Sequence, residues 1–318
     1  MARKESSSRG PQHPAVTIAR PPLRPLALFT LFAALALVGL GGVVHSTGSS
    51  LACPDWPLCR GEVMPRMEGG VLYEHSHRLL ALVVLAGVLL LPWAASGARE
   101  TTRLLAWLCA ALVIVQALLG ALTVLLRLPP LVSISHLACA TALVALLTWI
   151  ASADGLGRRA PRPAGVSLAL AVVVVQVVLG AAVRHLGAST ACGRDLIGCA
   201  GEGLPLTGAA WLHFAHRGVG LVALALVARA AILAMRDPPT RRLGALLGIG
   251  AAAQVALGFT SVAIGPHVAI VTAHLVLGEL LVAGLVLRLA RAELQRPDGR
   301  SRVPPPALPS SGRWSTTF

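Results

Sequence analysis

Hydrophobic positions along this chain are gathered into long runs, and polar positions into the short stretches between them. Runs with almost no charge cover residues 25–44, 73–95, 104–126, 131–151, 165–183, 209–233, 243–264 and 268–289. Each is long enough to cross a bilayer as a tilted helix, which takes roughly 20 residues. A lone apolar segment in lipid must satisfy its own backbone donors and acceptors, so these runs are helices. The pattern predicts an all-α polytopic membrane protein with eight transmembrane helices and both termini on one side.

Composition sharpens this picture. The chain has 318 residues, 55% hydrophobic and 13% charged, with a mean hydropathy of +0.75, whereas soluble domains carry about 25% charged residues. A soluble enzyme, a nucleic-acid-binding module and a disordered scaffold are poor readings, although the formal net charge is +14. Placement explains that charge: 20 of the 27 lysines and arginines lie on the side of the termini. The positive-inside rule then puts both termini in the cytoplasm, with anionic membrane lipids as partners of those loops and no role for nucleic acid. One lysine beside 26 arginines, with abundant alanine and leucine, suits a GC-rich bacterium, so the plasma membrane is the expected address.

Residues 1–24 read as a disordered cytoplasmic arm and 291–318 as a disordered cytoplasmic tail. Between them the chain is written twice. Gly41-Gly42-Val43-Val44-His45 ahead of Cys53 matches Gly180-Ala181-Ala182-Val183-Arg184 ahead of Cys192, and His77-Arg78 matches His216-Arg217, all offset by 139 residues. Gln116 and His136 recur as Gln254 and His274 at an offset of 138. The expected organisation is a four-helix bundle over 25–152, a cytoplasmic linker over 153–164 and a second bundle over 165–290. The two are pseudo-symmetric, related as a parallel repeat about the membrane normal.

All histidines except His13 fall at the outer side. His77, His136, His216 and His274 each lie within about six residues of where an even-numbered helix enters the membrane, less than roughly 10 Å deep. One such histidine alone is most simply hydrogen-bonded to a neighbouring helix. Four at matched positions point to paired imidazoles, as six-coordinate haem iron requires, with the porphyrin between helices. Ala138, Ala140, Gly218, Gly220, Ala273 and Gly278 leave room for a macrocycle, or serve only close helix packing. Zinc and di-iron sites fit worse, because carboxylates are nearly absent from the spans.

The exceptions are Glu74 and Glu279. Glu74 shares a helix face with His77, three residues on, and could hold or move a proton there, or pair with Arg78 at i+4. His213 takes the same slot in the second half, and Glu279 has no evident role. Cys53 with Cys59, and Cys192 with Cys199, lie in outer loops, where an oxidising exterior favours a disulfide within each pair, a structural clasp rather than a catalytic thiol. Cys109 and Cys139 fall in spans as packing residues.

These features resemble the haem A synthase family, membrane enzymes that convert haem O to haem A for terminal oxidases. The resemblance runs from about Gly41 to Leu289. Its most specific parts are the loop Gly48-Ser49-Ser50-Leu51-Ala52-Cys53-Pro54-Asp55-Trp56-Pro57-Leu58-Cys59 and the stretch Glu74-His75-Ser76-His77-Arg78, similar to the family's Glu-x-x-His-Arg motif. The Cys192/Cys199 loop followed by His213-Phe214-Ala215-His216-Arg217 adds to it.

The resemblance implies that His216 and His274 ligate a resident haem b, and that His77 and His136 hold haem O as substrate. Glu74 matches the family's essential glutamate, and Cys53 with Cys59 the outer-loop pair. His45 departs from the pattern, standing where an arginine like Arg184 is expected. The implied reaction oxidises the C8 methyl group of haem O to a formyl group through hydroxylated intermediates, with electrons leaving through the second haem. A haem O synthase and terminal oxidase assembly factors are the implied partners. The alternative is a two-haem b-type membrane electron carrier that leaves haem unmodified. A transporter would want a pair of broken helices at the midplane.

Overall fold

The computed structural model describes residues 20–152, 165–199, 204–205 and 207–293. The linker over 153–164, and nearly all of the expected arm and tail, lie outside them. Among the described residues the chain forms eight long helices: α1 (Leu23–Ser46), α2 (Gly69–Ala94), α3 (Glu100–Leu125), α4 (Pro130–Ala151), α5 (Val166–His185), α6 (Gly208–Met235), α7 (Arg241–Ile264) and α8 (Val268–Glu293). All eight are long and apolar enough to cross a membrane, and the described residues contain no strand. This is a multi-pass membrane protein.

Local chemistry sets several boundaries. Pro130 opens α4, at a position where a missing N–H costs nothing. The Thr207 side chain accepts the Ala210 N–H at 3.2 Å and so caps α6. Gly265, at φ +91°, turns the chain out of α7.

Within the first half α1 packs on α2, α2 on α3, α3 on α4 and α4 back on α1; α5 to α8 close in the same cyclic order. The halves meet through α1 with α8, α4 with α5 and α4 with α8. Exchanging α1–α4 for α5–α8 leaves this set of pairings unchanged.

The dry core occupies the end of each ring opposite the histidines. Ala27 and Leu31 near the start of α1, Val88 and Leu91 near the end of α2, Ala106 and Cys109 of α3, and Leu147 and Ile150 of α4 form one buried cluster. Val166, Val173, Val227, Ala231, Leu247, Val282 and Leu285 form its counterpart. Ala283 of α8 packs on the first cluster, and Ala145 and Trp149 of α4 pack on the second, so α4 and α8 stitch the halves together. The perimeter is apolar as well: Phe32 is 66% exposed, Leu104 67% and Ile249 68%. That surface suits lipid tails, since a soluble monomer rarely shows apolar patches of such extent.

Candidate haem-binding layer and its outer cap

His77 and His216 lie eight residues into α2 and α6, and His136 and His274 six residues into α4 and α8. At about 1.5 Å per residue all four are roughly 9–12 Å below the starts of their helices. The four thus lie at similar depth, with His77 and His216 two residues further into their helices than the six expected. His77 lies near enough to His136, and His216 to His274, for the paired rings to interact electrostatically.

Each ring rests on a glycine of the helix before it. A Cβ at Gly41 would stand 3.1 Å from Cε1 of His77; the same holds for Gly120 and His136 and for Gly180 and His216, and at 3.3 Å for Gly258 and His274. An added Cβ there would press on the imidazole, which would have to give by a few tenths of an ångström. These glycines were not singled out as ring supports from sequence. Their signal was available: Gly41 recurs as Gly180 at the repeat's offset of 139, and Gly120 as Gly258 at 138.

Three of the rings also meet a glutamine. The Nε2 atoms of Gln116 and His136 are 3.5 Å apart, those of Gln254 and His274 3.5 Å, and those of Gln176 and His216 3.4 Å. The Gln176 amide further donates to the His216 carbonyl at 2.9 Å. Leu37 holds the equivalent place beside His77, 139 residues before Gln176, so the first-half site has one amide where the second has two. Nδ1 of His274 lies 3.0 Å from the Gln254 carbonyl, which fixes the orientation of that ring. The Oε1 atoms of Gln116, Gln176 and Gln254 are buried without a partner. Paired imidazoles cradled on glycines, with unsatisfied amide oxygens alongside, fit a bound haem.

Above this layer the first outer loop is latched onto α2. Cys53 and Cys59 are bonded to each other, as are Cys192 and Cys199. Glu74 is buried, and its Oε2 accepts the Cys53 N–H at 2.8 Å while Oε1 accepts from Arg78 at 2.6 Å. The i+4 ion pair allowed by the sequence thus exists, and Glu74 is also tied directly to the disulfide loop. Arg78 completes the latch by donating to the carbonyls of Cys53, Asp55 and Leu58. The Asp55 carboxylate accepts the N–H groups of Arg60 at 2.6 Å and Gly61 at 2.8 Å. The Gly61 amide above all holds this carboxyl below its ordinary range. His75 packs beside the Cys53–Cys59 pair, but sulfurs bonded to each other offer no thiolate to a metal.

The second half repeats the latch without its acid. Arg217 donates to the carbonyls of Asp195 at 2.7 Å and Gly198 at 3.0 Å, matching what Arg78 does for Asp55 and Leu58. His213, buried, stands in the slot of Glu74. Nε and Nη2 of Arg217 are buried and find no partner among the described residues. Between the halves, the rings of His45 and His185 pack at a 50° tilt with centroids 4.7 Å apart, and Arg184 donates to Ser46 Oγ at 3.2 Å. Cys109 and Cys139 are free and buried in the spans, as expected of packing residues.

Comparison with known proteins matches residues 24–75 and 70–286 to the COX15-CtaA family of cytochrome oxidase assembly proteins. A curated relative from Symbiobacterium thermophilum, named "Heme A synthase", is 36% identical over 260 residues, covering 74% of this chain and 84% of the relative. Relatives of the same name from Bacillus licheniformis and Halalkalibacterium halodurans are 31% and 34% identical, covering 68% and 65% of this chain and 76% of each relative. The chain belongs to the haem A synthase family of cytochrome oxidase assembly proteins.

Proposed function

We propose that this protein is a haem A synthase, which oxidises the C8 methyl group of haem O to a formyl group and so supplies haem A to a terminal oxidase. The observation that carries the reading is the set of four histidines at similar depth, two in each half, each seated on a glycine of the preceding helix. In this proposal residues 25–152 form the substrate bundle, with haem O held by His77 and His136. Residues 165–290 form the second bundle, with haem b held by His216 and His274. Haem b would supply a one-electron carrier beside the substrate.

The chain's own residues divide the remaining work. The glycines and glutamines orient the imidazoles. Glu74 is the acid or base: its carboxylate has about four lone-pair sites, of which the Cys53 amide and Arg78 engage two. The remainder can take a proton at the outer rim of the first-half site, and His213 gives the second half no carboxylate there. The two disulfides hold the caps as structural clasps. We place both termini in the cytoplasm of a bacterial plasma membrane, with a haem O synthase and oxidase assembly factors as partners.

The test is haem extraction and chromatography from cells that supply haem O. The wild type should yield haem A. His77→Ala and His136→Ala should abolish it while haem b remains in the second half. Haem A in both variants at the wild-type level would refute the assignment.

A further inference from the structure

Thr141 of α4 and Glu279 of α8 hold equivalent places in the two halves, 138 positions apart, and meet at the seam with Thr141 Oγ1 2.6 Å from Glu279 Oε1. Glu279 is 0% exposed, and its Oε2 has no partner. Each of the two lies five residues inward of a layer histidine on its own helix, His136 and His274. That is about 7.5 Å deeper into the membrane.

No fixed countercharge faces the carboxyl from the helices packed against α8. On those helices ionisable side chains stand only near the ends, Arg24 and His45 on α1, Arg184 and His185 on α5, Arg241 and Arg242 on α7, while α4 contributes His136 and the Cys139 thiol. On α8 itself His274 lies outward, and Arg288 lies nine residues inward. A charge on Glu279 therefore interacts chiefly with whatever charge the histidine layer holds, through a medium that screens poorly.

The Thr141 hydroxyl can serve this carboxyl in two states. It lies 2.6 Å from Glu279 Oε1 and 3.0 Å from the Leu137 carbonyl, yet it has one hydrogen to give. Toward a carboxylate it donates to Glu279. Toward a carboxylic acid it donates to Leu137 and accepts the proton of Glu279. Either state keeps Oε1 bonded to Thr141 without moving a helix, while Oε2 stays without a partner in both.

We infer that Glu279 is a proton-coupling residue for electron passage between the halves, a step that rests on haem b occupying His216 and His274. With haem b held there, its one-electron reduction would be matched by Glu279 taking one proton from water and changing from carboxylate to carboxylic acid. When a one-electron acceptor takes that electron, a membrane electron carrier in turnover and ferricyanide in the test, the proton returns to water. The electron comes from the first-half haem in turnover, and from dithionite in the test. The iron's charge change is thereby cancelled inside the membrane.

The experiment is a spectroscopic redox titration of the haem-loaded protein in lipid nanodiscs over a series of pH values. In the wild type the haem b midpoint should fall as pH rises, by up to ~59 mV per tenfold change in proton concentration for one electron. Glu279→Gln should lose that slope, and Thr141→Val, which removes the donor to the carboxylate, should keep it but displace it to higher pH. Equal slopes in wild type and Glu279→Gln, or a wild-type midpoint independent of pH, would overturn this inference alone. A wild type without a b-type spectrum would overturn the underlying assignment with it. If Glu279→Gln fails to retain haem, the reduced-minus-oxidised infrared spectrum of the wild type decides. A carboxyl C=O band gained on reduction and moved by Thr141→Val supports the coupling, and absence of such a band refutes it.

Discussion

Gly180 and His216 approach so closely that a methyl group on the first would stand 3.1 Å from Cε1 of the second. A valine there must push the ring out of its seat. Gly180→Val should lower haem b retention roughly tenfold, the lower end of what losing a ligand's supporting contact costs. Haem content per polypeptide after purification measures it. Gly208→Ala, at the start of α6 where no atom lies within 4 Å of the added carbon, should leave it unchanged.

Glu74→Gln separates latch from chemistry. It weakens one charge-assisted contact, to Arg78, and exchanges the acceptor of the Cys53 N–H for a neutral one. The expected loss of stability is about 1.5–3 kcal/mol, read from thermal unfolding in detergent. The variant should still bind haem, yet its haem A output should fall by far more than that instability explains. Wild-type output would make Glu74 purely structural.

The Asp55 turn should be insensitive to pH across the neutral range. Its carboxyl titrates below the ordinary carboxylate range because the Gly61 and Arg60 amides favour the anion. Such a group stabilises the fold above its unfolded pKa, and the contribution is lost as pH falls through the folded value. Asp55→Asn should instead speed hydrogen exchange at the Arg60 and Gly61 amides at neutral pH. Unchanged exchange would show that the turn does not depend on the charge.

Cysteine labelling should follow the pairing. Of six cysteines, Cys109 and Cys139 are free and buried. A bulky maleimide should therefore add to none in the folded protein, to two after denaturation without reductant, and to all six after denaturation with it. Four labels before reduction would place one of the disulfides in doubt.

The spans were legible because lipid imposes one requirement along their whole length. Their ends were less so: α2 begins at Gly69, ahead of the apolar run, because a helix that has left the hydrocarbon no longer needs apolar side chains. The histidine layer was legible through the repeat. Its supports were missed because the contact of Gly41 with His77 depends on which helix faces which, and Gln176 was hidden by Leu37, which breaks the repeat there. Glu279 had no reading in sequence because its partner, Thr141, shares its place in the repeat but not its chemistry.

In each successive pair of helices, the first brings a glycine and the second the histidine that rests on it, four times over. The molecule is thus assembled from one kind of hairpin, and each half takes two of them. Duplication of this sort relaxes the demand on any single copy. Under the function proposed above, one half would keep its pigment permanently, while its twin, with Leu37 in place of a glutamine and Glu74 at its outer rim, would be at liberty to receive and discharge a guest.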